Sequence, residues 1–222
     1  LYLKLILSVN VSLFSLLTHH PSVQMEITNK HNDLRRMANP RASNMLKMNW
    51  NAEVAKNAEK WAERCTLSHS PRSQRKISFA NCGENLFMSS TPISWSHAIQ
   101  SLYDEVEDFK YGVDANAKTG HYTQLVWATS HQLGCALAHC PHKHLSYYYV
   151  CHYCPEGNDV RTKKTPYKIG KPCADCPDHC DDGLCTNPCI YVDRISNCAD
   201  LVKEYGCDKN FIKEKCRATC KC

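Results

Sequence analysis

Sixteen cysteines are the residues of this chain best equipped for chemistry, and ten of them fall within residues 173–222. Their spacing is C-x2-C-x3-C-x4-C-x3-C-x8-C-x8-C-x8-C-x3-C-x-C, from Cys173 through Cys176, Cys180, Cys185, Cys189, Cys198, Cys207, Cys216 and Cys220 to Cys222. Two chemistries are open to such a set, ligation of zinc or disulfide bonding. Cys173/Cys176 and Cys151/Cys154 are CxxC pairs of the knuckle type. Zinc ribbons, however, need four ligands in two separated knuckles, and these cysteines recur almost without pause. So short a segment also buries too little apolar surface to fold on a core of its own. An even count in a short, loop-rich stretch reads as a disulfide framework made in an oxidising compartment. The chain reads as exported.

Hydrolysis would need a nucleophile held by a base beside an oxyanion site. The even cysteine count leaves no free thiol, and neither a G-x-S-x-G elbow nor an HExxH helix occurs. Ser70 follows His69, but adjacency in sequence is not hydrogen-bonding geometry. One carboxylate stands out. Ala98, Leu102, Glu105 and Phe109 share a helical stripe, so Glu105 points where the apolar residues point, and burying it is costly unless something pairs with it. Either it hydrogen-bonds across the core or it serves a site. His139, His142 and His144 lie in a Pro-containing loop beside Cys140, where solvation is the default.

The elements that must position these groups are legible. At 222 residues the chain suits one ordinary domain plus a small appendix. Val23, Ile27, Leu34 and Met37 predict a helix over 22–38, ending at Asn39-Pro40. Ala55, Ala58, Ala62 and Cys65 predict a second over 51–65, and Trp95, Ile99, Leu102 and Val106 a third over 94–109. Two β-like runs follow at 133–139 and 145–153, the latter rich in tyrosine. Uneven alternation of helix and strand favours an α/β/α sandwich over an all-β fold. Residues 159–171 turn polar and basic and read as a linker.

The first 17 residues are apolar around Lys4, like the hydrophobic stretch of a secretory signal, though without an initiator Met or a small-x-small cleavage site. Residues 1–20 are therefore read as a signal remnant or disordered N-terminus, with a buried N-terminal helix as the alternative. Ser8, Asn10 and Ser12 interrupt the stretch too soon for a membrane span, and Asn10-Val11-Ser12 is the one glycosylation sequon. Net charge is +5, and residues 173–222 hold 7 Lys/Arg against 9 Asp/Glu. No Lys/Arg run or RNA-type aromatic motif accompanies it, so nucleic acid is not an expected partner.

Four motifs make the large domain recognisable: His31-Asn32-x-x-Arg35; Gly83-Glu84-Asn85-Leu86; Gly120-His121-Tyr122-Thr123-Gln124-Leu125-Val126-Trp127; and Tyr148-Tyr149-Val150-Cys151-His152-Tyr153-Cys154-Pro155-Glu156-Gly157-Asn158. In this order, and followed by a ten-cysteine tail, they resemble the CAP superfamily, shared by cysteine-rich secretory proteins, antigen-5 allergens and plant pathogenesis-related proteins. The tail resembles the hinge and ion-channel-regulatory module of the cysteine-rich secretory proteins. Residues 42–48 and 185–189 are similar to the mammalian epididymal, sperm-coating members. The resemblance implies an α+β chain, a CAP-type α/β/α sandwich over 21–165, a cysteine-rich hinge over 166–188 and a toxin-like module of short helices over 189–222. It implies the bridges Cys65–Cys140, Cys82–Cys154, Cys135–Cys151, Cys173–Cys180, Cys176–Cys185, Cys189–Cys222, Cys198–Cys216 and Cys207–Cys220.

The resemblance also implies a cleft where His69, Glu84, Glu105 and His121 converge. Two imidazoles flanked by acids suit a weak, labile zinc, with His69 and His121 as ligands and Glu84 and Glu105 orienting the rings. His31 belongs to the first motif, where a structural hydrogen bond is the expected role. The implied function is a secreted, non-enzymatic binding protein of the male reproductive tract that coats sperm, modulates cation channels and joins in sperm–egg interaction. Val150, His152, Pro155, Glu156, Gly157 and Asn158 are the implied egg-binding segment. Lys209, Phe211 and Lys213 are the implied channel-facing residues, tempered by the acidic hinge (Asp175, Asp178, Asp181, Asp182). A zinc-dependent hydrolase using the His/Glu cleft and a sterol or lipid carrier are the alternatives.

Overall fold

A computed structural model describes residues 11–113, 117–189, 191, 193–195 and 197–222. Helix α1 (Pro21–Arg36) has Pro at its first turn, which suits a position where no backbone N–H is needed. Strand β1 (Asn49–Trp50) runs straight into α2 (Ala52–Ala62), whose N-cap Asn51 accepts from the amides of Glu53 and Val54. Then come β2 (Gly83–Ser89), α3 (Trp95–Tyr103), α4 (Gly120–Leu125), β3 (Gln132–His139) and β4 (Tyr147–Cys154). The third predicted helix is α-helical only to Tyr103 and tightens into a 3-10 turn over Asp104–Asp108.

The strands form one sheet in the order β1-β3-β4-β2, with β4 inside and β2 at an edge. Alternate residues of β4 serve opposite layers, as the two-residue pleat requires. Tyr148 and Val150 pack with Ala58, Trp61 and Ala62 of α2. Tyr149, Cys151 and Tyr153 face the other way, among Ile27, Leu34, Trp95, Ile99, Tyr122 and Leu125. The α/β/α sandwich is thus observed. Gly134 lets α2 lie against β3, since a Cβ there would sit 2.1 Å from the Ala55 nitrogen.

The His31-Asn32-x-x-Arg35 motif holds this packing together. Arg35 is buried and donates to the carbonyls of Leu46, Leu125, Trp127, Ala128 and Ser130. Asn32 exchanges two hydrogen bonds with the backbone of Met48. His31 bridges the Ile27 carbonyl and the Tyr153 hydroxyl.

Two expectations need correction. Leu16 is buried and its carbonyl accepts from Trp95 Nε1, so part of the 1–20 stretch belongs to the core rather than to a disordered terminus. Residues 1–10, with the Asn10 sequon and most of the signal-like stretch, lie outside the described residues. Residues 159–171 are not a free linker. Pro166 accepts from the Ala128 amide, Lys168 from that of Ser43, and Gly170 donates to Arg41, while Tyr167 is buried. The reason is that its backbone polar groups pair with the large domain and its one buried ring, Tyr167, joins the main core.

The hinge follows the same surface. Strands β5 (Cys180–Asp181) and β6 (Leu184–Cys185) make a small hairpin, and Cys185 bridges Leu46. The chain divides into two compact units after Thr186, so the hinge belongs with the large one. The second unit, Asn187–Cys222, holds α5 (Cys198–Tyr205), α6 (Asn210–Lys215) and α7 (Arg217–Lys221) around Cys198, Ile212 and Cys216. The bridges are Cys65–Cys140, Cys82–Cys154, Cys135–Cys151, Cys173–Cys180, Cys176–Cys185, Cys189–Cys222, Cys198–Cys216 and Cys207–Cys220, and none crosses between the units.

Candidate functional site

Edge strand β2 presents Glu84 on one face and Asn85 on the other, and each side chain engages a histidine-bearing segment. Glu84 is the hub. Its Oε1 accepts from His69 Nδ1 at 2.7 Å and from the Ser70 amide at 2.9 Å. Its Oε2 accepts from Ser70 Oγ at 2.6 Å and His152 Nε2 at 2.9 Å, and Arg75 stands 3.4 Å from Oε1. Burial alone would raise the carboxyl's pKa; the hydrogen bonds from His152, His69 and Ser70 outweigh it and pull the group down to about 2. The His152 imidazole is held neutral by its own burial.

The second pair forms off the other face. Glu105, in the 3-10 turn after α3, accepts from His121 Nδ1 at 2.6 Å. Its other oxygen accepts from the amides of His121 and Tyr122, so one carboxylate both orients the ring and caps the start of α4. Burial opposes ionisation here too, but these bonds keep Glu105 below the usual carboxylate range. Asn85 Nδ2 donates to the His121 carbonyl at 3.0 Å, which ties this pair to the strand that carries Glu84.

Both rings are thus bound to a carboxylate at Nδ1 and remain reachable, with side chains 57% (His69) and 36% (His121) exposed. That leaves Nε2 of each as the atom for a ligand, the carboxylate–histidine arrangement that suits a metal-binding imidazole. The donor set fits zinc in kind, but the quartet does not bring three ligand atoms within 4.8 Å of one another. Among the described residues only Cys173, Cys176 and Cys185 do so, and those sulfurs are in bridges.

Beside Glu84 opens a cavity of about 610 Å³, lined by Arg72, Arg75, Gln124, Glu156 and Asn158 among others. Its wall is tightly built: a Cβ on Gly157 would meet Trp127 at 2.7 Å. Asn158 takes φ 57°, donates to the Gly120 carbonyl and accepts from Thr123 Oγ1.

The implied egg-binding segment splits. Pro155, Glu156, Gly157 and Asn158 are half-buried, the last three lining the cavity, whereas Val150 and His152 are buried completely. Those two cannot face a partner from the folded surface, because β4 is an inner strand covered on both faces. His152 belongs instead to the Glu84 network. In the second unit Lys209, Phe211 and Lys213 are all exposed, the first at the N-cap of α6 and the other two flanking buried Ile212, and Lys213 lies 3.9 Å from Asp208. Ser70 and Arg75 are site members the sequence pattern did not single out. Ser70 carried only its adjacency to His69, and no local signal marks Arg75.

Comparison with known proteins agrees with this architecture. Residues 28–153 match the CAP family model, described as the cysteine-rich secretory protein family, and residues 173–222 match the Crisp model. Cysteine-rich secretory protein 2 of Homo sapiens is 58% identical over 212 residues, 94% of this chain and 87% of that protein. The cysteine-rich venom protein helothermine of Heloderma horridum horridum is 54% identical over 211 residues, 93% of this chain and 87% of that protein. Among solved structures, NaASP2 with Zn2+ superposes with a TM-score of 0.64 at 31% identity, covering 75% of this chain and 96% of that one. The fold and site define a CAP protein. The chain belongs to the cysteine-rich secretory protein family. Eight bridges fit an extracellular protein, and no described helix is long and apolar enough to cross a membrane.

Proposed function

We propose that this is a secreted, non-enzymatic binding protein of the male reproductive tract that coats sperm, modulates cation channels and takes part in sperm–egg interaction. The observation that carries this reading is the pairing of a CAP domain with a Crisp module over nearly the whole length of cysteine-rich secretory protein relatives. The channel role falls to Asn187–Cys222, where Lys209, Phe211 and Lys213 stand exposed on a disulfide-locked scaffold. Contact with the egg surface falls to the half-buried residues Pro155, Glu156, Gly157 and Asn158.

The site chemistry favours binding over hydrolysis. Ser70 is buried and its hydroxyl is spent on Glu84, a carboxylate held at about 2 and so a poor general base near neutrality. The cavity beside it is lined by charged and polar side chains, which suits a polar ligand better than a sterol. His69 and His121 would hold zinc weakly through Nε2, and the metal would supply a link between the two imidazole pairs or to a partner's donor atom. A structural relative, NaASP2, has been solved with Zn2+, which supports this reading.

The experiment is to express the chain to Thr186 and residues 187–222 apart, then assay each for sperm channel currents and egg binding. Channel modulation should follow residues 187–222 and egg binding the large unit. Current changes produced by the large unit alone, with an oxidised 187–222 inert, would reverse the assignment. Ester or peptide hydrolysis lost in a Glu84→Gln variant would favour the enzyme instead.

A further inference from the structure

Asn57, Lys60 and Trp61 of α2, with Arg64 just past its end, follow the i, i+3, i+4, i+7 spacing of one helical face. Together with Gln74 of the 3-10 turn Arg72–Gln74 they line a pocket of about 230 Å³. Arg72 and Arg75 line the larger cavity beside Glu84 instead, and no residue lines both. The two are therefore distinct.

Two of its features call for a ligand group. Asn57 Nδ2 donates to the Gln74 carbonyl at 2.9 Å, which fixes the orientation of the amide, and its Oδ1 is buried and accepts from no group among the described residues. A buried acceptor in that state calls for a donor. Lys60 and Arg64 are exposed and form no ion pair among the described residues, and the pocket lining holds no carboxylate. They call for an anion. The Arg64 guanidinium lies over the Trp61 ring at 5.3 Å from its centre, and Trp61 is itself fixed through Nε1, which donates to the Ser68 carbonyl and the Tyr148 hydroxyl. The guanidinium fork is thus held ready for two oxygens of one anion.

We propose that this pocket binds one acidic sugar unit, with its carboxylate or sulfate on Arg64 and Lys60 and a ring hydroxyl donating to Asn57 Oδ1. A bare anion satisfies the two cations and leaves the Asn57 oxygen without a donor; a neutral sugar does the reverse. Only a ligand that carries both groups on one small body meets both demands. At about 230 Å³ the space is below the roughly 300 Å³ at which drug-sized sites begin, so it suits a single ring. The carbon stems of Lys60 and Arg64 and the edge of Trp61 supply the apolar wall against which the ring's C–H face rests. An acylated peptide C-terminus also joins a carboxylate to a donor, but it brings no ring to that wall. The site uses neither the imidazole pairs nor residues 187–222, so it is independent of the egg-binding and channel roles proposed above.

The test uses the full, disulfide-bonded and isotope-labelled chain, titrated in the NMR spectrometer with glucuronate, glucose 6-sulfate, glucose, inorganic sulfate and N-acetylglycine. At least one of the two acidic sugars should shift the Asn57 side-chain amide and the Trp61 indole saturably, with millimolar affinity, and the tighter of them identifies the anion as carboxylate or sulfate. Glucose and inorganic sulfate should each bind at least about 10-fold more weakly, because each leaves one demand of the pocket unmet. A Lys60→Ala, Arg64→Ala variant should lose at least about 10-fold in affinity for the acidic sugar. Both side chains are exposed, so its remaining amide spectrum should match the parent's. An Asn57→Asp variant, which sets a carboxylate against the anion, should lose affinity likewise and decides the matter should the double variant not fold. No saturable shift from either acidic sugar, equal binding of glucose or of inorganic sulfate (an anion site only), tighter binding of N-acetylglycine, shifts confined to other residues, or unchanged affinity in the variants would each overturn the proposal.

Discussion

Glu84 and His152 stand directly opposite each other across β2 and β4, and His152 Nε2 donates to Glu84 Oε2 at 2.9 Å within the interior. This contact makes a buried carboxylate tolerable, because the anion is surrounded by donors before any ligand arrives. It also makes the candidate site part of the sheet's stability.

Glu84 should therefore register in acid. Its carboxyl sits at about 2 in the folded chain against 4.5 as a free group. A depressed carboxylate adds stability that is complete above the unfolded value and lost as pH falls toward the folded one. Denaturant midpoints of the parent should drop between about pH 5 and pH 2 by an amount worth up to ~3 kcal/mol from this group. A Glu84→Gln variant should be less stable at pH 7 and show a shallower acid limb. An unchanged limb would remove Glu84 from the account.

His31 adds a second pH effect in a higher window. Burial lowers it from 6.5 to about 4, so the folded chain keeps it neutral. The unfolded chain binds that proton first, and stability declines as pH falls from 6.5 towards 4. Ring-proton NMR should follow His31 titrating near 4; a midpoint near 6.5 would mean the ring is not enclosed.

Zinc affinity should depend on the carboxylates as well as the imidazoles. A Glu105→Gln variant should weaken zinc binding by roughly 10-fold, since the ring loses its charged orienting partner. Binding should also release protons where the rings carry them, because protonated imidazole cannot ligate. Calorimetric titration reads both, and a His69→Ala, His121→Ala variant that binds like the parent would place the metal elsewhere.

Tyr167 tests how the segment after the CAP motifs is attached. Its ring is buried beside Tyr111 and its carbonyl accepts from the Tyr111 hydroxyl. Tyr167→Ala should cost about 3 kcal/mol in chemical denaturation, the usual loss for a buried aromatic. A loss below about 0.5 kcal/mol, as for an exposed loop, would restore the linker reading.

The cysteine inventory, the three helical stripes and the four motifs were legible in the linear chain. Apolar period and turn chemistry depend on near neighbours in sequence: Val23, Ile27 and Leu34 are buried as their spacing predicts, while Met37, the fourth of that stripe, caps the helix end and is exposed. The tertiary structure alone decided the rest. Glu84 meets Ser70 and His152 across 14 and 68 residues of sequence, and that meeting depends on sheet register rather than local pattern. Glu105 caps α4 because a 3-10 turn replaces the last turn of a helix, a change that residue spacing does not encode. The polar 159–171 stretch looked detached since it offers few apolar residues. Its attachment runs through the buried Tyr167 ring and through backbone hydrogen bonds, which every residue but proline can donate and whose partners only the folded chain selects.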